Sequence, residues 1–241
     1  MNIYIGLDIS KISTALTIQK NNEIKYYSYS TLKSNNIWLK NTQDIIAYRN
    51  IEYKYLKEDD YSKSQILKLK EFNLYTDLII DDITKNVDFE NDVIQIGAEG
   101  FSYASSAGPL IDIVEFSTLL KIKLLNKLNN LSDIEILSPM TVKSETCKMV
   151  YKPRIELKGK KVIKEVLHYE NKDGKQAIKF DKWDMLYALL DSHIETPIKT
   201  WLNENDSWKK NKDVPKPIDD IIDSFFIMEI IKNKYNSYLE E

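Results

Sequence analysis

Three strand patterns fill the first thirty residues, and whatever fold the chain takes has to bury the sheet they make. In IYIGLDIS, Ile3, Ile5 and Leu7 alternate with Tyr4, Gly6 and Asp8, the period-two pattern of a pleated strand with two unlike faces. The β-branched and aromatic runs STALTIQ and EIKYYSYS flank KNN, where Asn21 and Asn22 suit a tight turn. The expectation is a three-stranded antiparallel meander.

The elements that follow predict how this sheet grows. Phe72, Tyr75, Leu78, Ile79 and Ile83 recur at helical spacing, which predicts a helix from Glu71 to Asn86. DVIQIGAEG reads as a short apolar strand ending in Glu99, Pro109 opens a long and mostly apolar helix to about residue 129, and IEILSP reads as another strand. TVKSETCK opens a further helix, and the last helix starts at Pro217. Alternating strands and helices after a meander predict an α/β fold with a mixed five-stranded sheet, parallel in its centre and flanked by helices. One domain over residues 1–241 is expected, with insertions at about 31–70 and about 151–216. The first is polar, tyrosine-rich and without a clear period; the second contains a helix from about Lys182 to Ile194, stopped by Pro197.

The chain has 241 residues, 43% of them hydrophobic, enough to bury a core in one domain. No apolar run approaches twenty residues and no leader pattern opens the chain, so the expected location is the cytoplasm, with no membrane partner. A single cysteine, Cys147, fits a reducing interior and reads as a small helix residue. The net charge of −3 hides an uneven distribution: Lys143 to Lys182 holds twelve Lys and Arg against six Asp and Glu. A basic segment on an acidic body is either a solvated surface or a phosphate-binding face beside a carboxylate-rich site.

Acids placed inside apolar elements favour the second reading. Asp8 sits on the first strand, where an ionised carboxylate costs several kcal/mol to desolvate without partners. Glu99 ends a second apolar strand, and PIDDIIDSFF puts three aspartates into the first turns of an apolar helix. Acids at a helix start are favoured by its dipole, but Asp223 lies a full turn inside. Asp220 and Asp223 lie three residues apart and Asp219 and Asp223 four apart, so a pair of carboxylates shares one helix face; Asp219 points about 100° around the helix from Asp220, and a change at Asp219 is expected to be nearly neutral beside one at Asp220. If the strands of Asp8 and Glu99 are neighbours, four carboxylates converge, and hard divalent cations are what would hold them together.

The series IGLDIS, IGAEGFSY, ILSPMTVK and DDIIDSFF resembles the RuvC-like Holliday junction resolvases of the ribonuclease H-like, retroviral integrase superfamily, particularly those of phages and other viruses. The resemblance implies a ribonuclease H-like fold and a structure-specific DNA endonuclease that resolves four-way junctions as a homodimer, at work inside a cell, an infected host included. It implies Asp8, Glu99, Asp220 and Asp223 as catalytic, metal-ligating residues for two Mg2+ ions, with Mn2+ as a substitute, and Asp8 shared by both ions. Lys143, in the Pro-x-x-Val-Lys of Pro139 to Lys143, and Lys158, Lys160 and Lys161 are implied phosphate contacts; Phe101 and Tyr103 either stack on a base at the branch or pack under their loop. The regular glycine-rich run after Lys143 is missing, and the two insertions depart from the family pattern. Other nucleases of the same fold, terminase-type or acting on flaps and branches, share these acids. A non-catalytic nucleic-acid-binding module would show the loss of an acid, and none is missing. IGLDIS with Ser13 and Thr14 also resembles the first phosphate loop of actin-like ATPases, but six glycines in the whole chain leave no second glycine-rich loop.

Overall fold

A computed structural model describes residues 1–33, 36–101, 107–128, 134–151, 154–158, 161–166 and 180–240, without the side chains of 107–109, 154–158, 161–166 and 239–240. The expected meander forms: β1 (Asn2–Asp8), β2 (Ser13–Lys20) and β3 (Glu23–Ser30) pair antiparallel in succession. Asn21 takes the left-handed conformation at the β2–β3 turn, with φ 55°, a role for which asparagine is suited. Next come α1 (Ile37–Asn41), β4 (Ile46–Asn50), α2 (Tyr61–Thr84), β5 (Val93–Glu99), α3 (Ala107–Leu125), β6 (Ile134–Leu137) and α4 (Pro139–Val150). The chain continues through β7 (Arg154–Lys158), β8 (Lys161–Val166), α5 (Lys182–Asp191), α6 (Pro197–Glu204) and α7 (Ile218–Glu240).

The main sheet has six strands in the order β4-β3-β2-β1-β5-β6, with β5 parallel to β1, β6 parallel to β5 and β4 parallel to β3. A meander whose first strand continues into parallel strands, with helices on both faces, is the mixed α/β arrangement that the order of elements predicts. Sequence patterning predicts five strands; the sixth, β4, comes from the stretch expected to be loop-rich. Its five residues are too few for a period to show, and pairing with β3 supplies what periodicity does not. The helix expected from Glu71 begins ten residues earlier, at Tyr61, where Asp60 caps it by accepting from the Lys63 N–H at 2.8 Å. β7 and β8 pair with each other in a separate two-stranded sheet.

The alternation along β1 sorts two cores. Ile3, Ile5 and Leu7 pack with Phe72, Ile79 and Ile83 of α2 and Phe116 and Leu120 of α3. On the other face Tyr4 packs into a core built from α4 to α7, in which Trp208 is fully buried. Among the described residues no helix is long and apolar enough to cross a membrane.

Candidate metal centre

Two glycines decide how closely the last helix approaches the sheet. Gly6 of β1 and Gly97 of β5 are register partners on the same face. A Cβ at Gly6 would stand 1.9 Å from the Ser224 carbonyl oxygen and 2.6 Å from the Met228 nitrogen, and one at Gly97 would stand 2.5 Å from Ile231. The side chains missing here form a trough in which α7 lies against the strands, and the Thr17 and Ser224 hydroxyls meet at 2.7 Å across it. From Gly6, two strand residues lead to Asp8, about 7 Å along. From Ser224, one helical turn leads back to Asp220, about 6 Å along. The two carboxylates therefore reach the same end of the trough. Glu99 arrives there as well, one step beyond the paired Leu7 and Ala98 on the adjacent parallel strand.

The result is a cavity of about 360 Å³ lined by Asp8, Glu99, Asp220 and Asp223 from β1, β5 and α7, with Phe101, Lys143, Lys182 and Lys216 among its other walls. All four acids are raised above the ordinary carboxylate range. Burial is the main cause for Asp8, reinforced by Glu99, Asp220 and Asp223, and it moves Asp8 well up. Burial also raises Glu99, against the opposing pull of its interaction with Asp8. Asp220 is pushed up to about 6 by burial and by Asp219, against the pull of Lys216 and Lys182. Asp223 rises through burial, against Lys182. Buried acids raised together in one concave site are the electrostatic pattern that marks a candidate functional site.

Two ammonium groups stand among these carboxylates. Lys182 Nζ lies 2.8 Å from Asp223 Oδ2, 3.3 Å from Asp219 Oδ2 and 3.9 Å from Asp220 Oδ1. Burial works against its charge, and the surrounding aspartates, Asp223 first, outweigh burial and raise its pKa. It is the first residue of α5, whose start is fixed by Asp181 accepting from the Trp183 and Asp184 N–H groups while Asp184 caps back onto the Asp181 N–H at 2.7 Å. Lys216 Nζ lies 2.6 Å and 2.8 Å from the two oxygens of Asp220. Sequence reading missed both lysines. Lys216 left one local signal, its position four residues before Asp220; Lys182 left none, because Asp223 lies 41 positions away.

Asp219 does not stand apart as its helical angle suggests. It is 7% exposed and its Oδ2 lies within 4 Å of both ammonium groups, because a long lysine stem spans the arc that separates adjacent residues of a helix. Lys143 of α4 also lines the cavity. Phe101 also lines it, with the Lys121 ammonium 4.8 Å from its ring centroid. Lys158 and Lys161 face each other across the β7–β8 hairpin, and their side chains lie outside the described residues, as do Lys160 and Tyr103 altogether.

No family model matches the chain, and no curated protein matches it. Among solved structures, it is similar to the Thermus thermophilus RuvC structure, at 6% identity and a TM-score of 0.40 over 97% of this chain and 96% of that one. A likeness of that size adds nothing to what strand order and side-chain placement show.

Among the described residues, no three His, Cys, Asp or Glu side chains are already arranged as a closed ligand set. The donors nevertheless fit hard divalent cations in kind: they are carboxylate oxygens from three elements around one cavity, with positive charge already drawn between them as ammonium. Asp219 Oδ1 is buried without a hydrogen-bond partner among the described residues, whose two lysines leave acceptor capacity in the cluster unused.

Proposed function

We propose that this chain is a divalent-cation-dependent endonuclease of the ribonuclease H-like fold that resolves four-way DNA junctions by phosphodiester hydrolysis. The observation that carries the reading is the convergence of Asp8, Glu99, Asp220 and Asp223 from three elements into one cavity rimmed by lysines. Asp8, Glu99, Asp220 and Asp223 would hold two Mg2+ or Mn2+ ions, with Asp8, on the central strand β1, as the shared ligand. The chemistry such ions supply when bound is activation of a water and stabilisation of the leaving 3′-oxygen.

The chain's own residues do the rest. Four acids and three lysines at the cavity leave it without net positive charge, so a phosphodiester is drawn in only when the acids are neutralised. Lys143 and the basic-segment residues Lys158, Lys160 and Lys161 position the backbone through phosphates, which carries affinity and little sequence information. Phe101, at the cavity wall, offers a face on which a base at the branch point stacks.

A junction needs two coordinated cuts, which a two-fold dimer supplies. Support comes from α3: Leu110 and Ile113 line the cavity, while Ile111, Val114 and Ile122 form an exposed apolar stripe along the outer side of the same helix. The test is cleavage of a mobile four-way junction in Mg2+, alongside linear duplex, flap, gapped and RNA–DNA hybrid substrates. The junction is expected to be cut symmetrically and the duplex to survive. Equal cutting of flaps would move the reading to a general branch nuclease, and no cutting of any substrate in Mg2+ or Mn2+ would overturn it.

A further inference from the structure

Lys216 and Asp219 take no part in the ligand set proposed above, yet both are built into it. The Lys216 ammonium bonds both oxygens of Asp220, and Asp220 Oδ2 also accepts from the Ser13 hydroxyl at 2.5 Å. A carboxylate engaged in this way has little left for a second cation. The two ends of the pair differ in freedom: the Asp220 side chain is 4% exposed and the Lys216 side chain 40%. The lysine is the partner that can move. Its alternative place is next to it, since Asp219 Oδ2 is 3.6 Å from Lys216 Nζ and Asp219 Oδ1 is buried with no hydrogen-bond partner among the described residues.

We propose that Lys216 is a resident counter-cation that a divalent cation displaces from Asp220, and that Asp219 is the positioning residue that receives the displaced ammonium. The proposal rests on the reading of Asp220 as a metal ligand. The exchange keeps the Lys216 charge, in addition to that of Lys182, beside the buried aspartates in the metal-free protein, and avoids stranding the Lys216 charge once the cation arrives. It also gives the adjacent aspartates separate roles, Asp220 as the exchanging ligand and Asp219 as the holder.

The experiment is calorimetric titration of Mg2+, and separately Mn2+, into the full-length protein without DNA. It is run on wild type, Lys216→Met, Asp219→Asn and the double variant, with each fold checked by its melting transition. Lys216→Met is expected to bind the cation roughly three- to tenfold more tightly, because a competing charge-assisted bond has been removed. Asp219→Asn is expected to bind more weakly. In the double variant Asp219→Asn should have a smaller effect than it has in wild type, since no displaced Lys216 is left to receive and only the contact of Asp219 with Lys182 remains. Lys216→Gln, which keeps a donor but no charge, is measured alongside and should also tighten binding. A merely structural lysine would weaken cation binding when removed. If wild type binds no divalent cation, the ligand reading falls and this inference with it. If wild type binds but Lys216→Met and Lys216→Gln bind equally or more weakly, the displacement is wrong and the ligand reading stands. Additive effects in the double variant would remove Asp219 from the exchange.

Discussion

Asp82 and Asp8 are about equally hidden, 1% and 6% exposed, and burial pushes on both in the same direction. Their carboxyls nevertheless shift in opposite senses. Asp82, on α2, accepts from Arg49 Nε and Nη2 at 3.0 and 3.2 Å, from Lys85 at 3.1 Å and from the Tyr29 hydroxyl at 3.1 Å. Burial raises it, and these donors overcome burial and hold it below the ordinary carboxylate range. Asp8 is surrounded by other acids and is raised. The difference separates two kinds of buried charge: the Asp82 network is complete and serves the fold, while the Asp8 cluster is short of cations and stores repulsion that a ligand can relieve.

The largest expected effect that can break this contrast is on cleavage. Asp8→Asn, Glu99→Gln, Asp220→Asn and Asp223→Asn should each lower junction cleavage on the order of a hundredfold or more, with the metal-free melting temperature unchanged or higher. Asp82→Asn should leave cleavage intact at temperatures where the protein is folded. Retained activity in Asp223→Asn would dissolve the distinction.

Gly6→Ala should come next, at about 3 kcal/mol by denaturant titration, because the new Cβ meets backbone of α7 that has nowhere to go. It should depress cleavage together with stability, since the helix carrying Asp220 and Asp223 must lift; an alanine variant as stable as wild type would show that the trough is not needed. Asp82→Asn should cost about 2 kcal/mol of stability, less than a fully buried pair because Arg49 is 37% exposed.

Acid pH should separate the two regions by sign. Asp220, raised in the folded state to about 6, binds its proton more tightly there than in the unfolded chain, so the stability it contributes is lost as pH rises from about 4 through 6. The metal-free protein should therefore melt at a higher temperature at pH 5 than at pH 7, and Asp220→Asn should flatten that slope. Asp82, lowered in the folded state, contributes above its unfolded value of about 4 and loses that contribution as pH falls below it. A metal-free melting temperature that fell between pH 7 and pH 5 would contradict the contrast. The smallest effect is expected on the basic segment: replacing Lys158, Lys160 and Lys161 together by Ala should lower the slope of log affinity against log salt by at most about one unit for each phosphate that is no longer neutralised. An unchanged slope would assign them to a solvated face.

Local sequence carried much of this arrangement. The period of two along β1 placed Tyr4, Gly6 and Asp8 on one face, and that face is the one α7 covers. The three-residue spacing of Asp220 and Asp223 put both on one side of α7, and both line the cavity. Such features are legible because strand and helix periods act between near neighbours in the chain. β4 was hidden because five residues give too short a run, and its strand state comes from pairing with β3. Lys182 among the aspartates was hidden for a different reason: it depends on how α5 docks beside α7, 41 residues later, and no local period encodes that distance. The contacts of Asp219 with both lysines were hidden as well, because helical angle describes where Cβ points, whereas a lysine stem of four methylenes reaches around it. The chain's periodicity settled which acids face the sheet, and tertiary packing settled which cations meet them, because a charge pair forms wherever flexible side chains come within a few ångströms, whatever their separation in sequence.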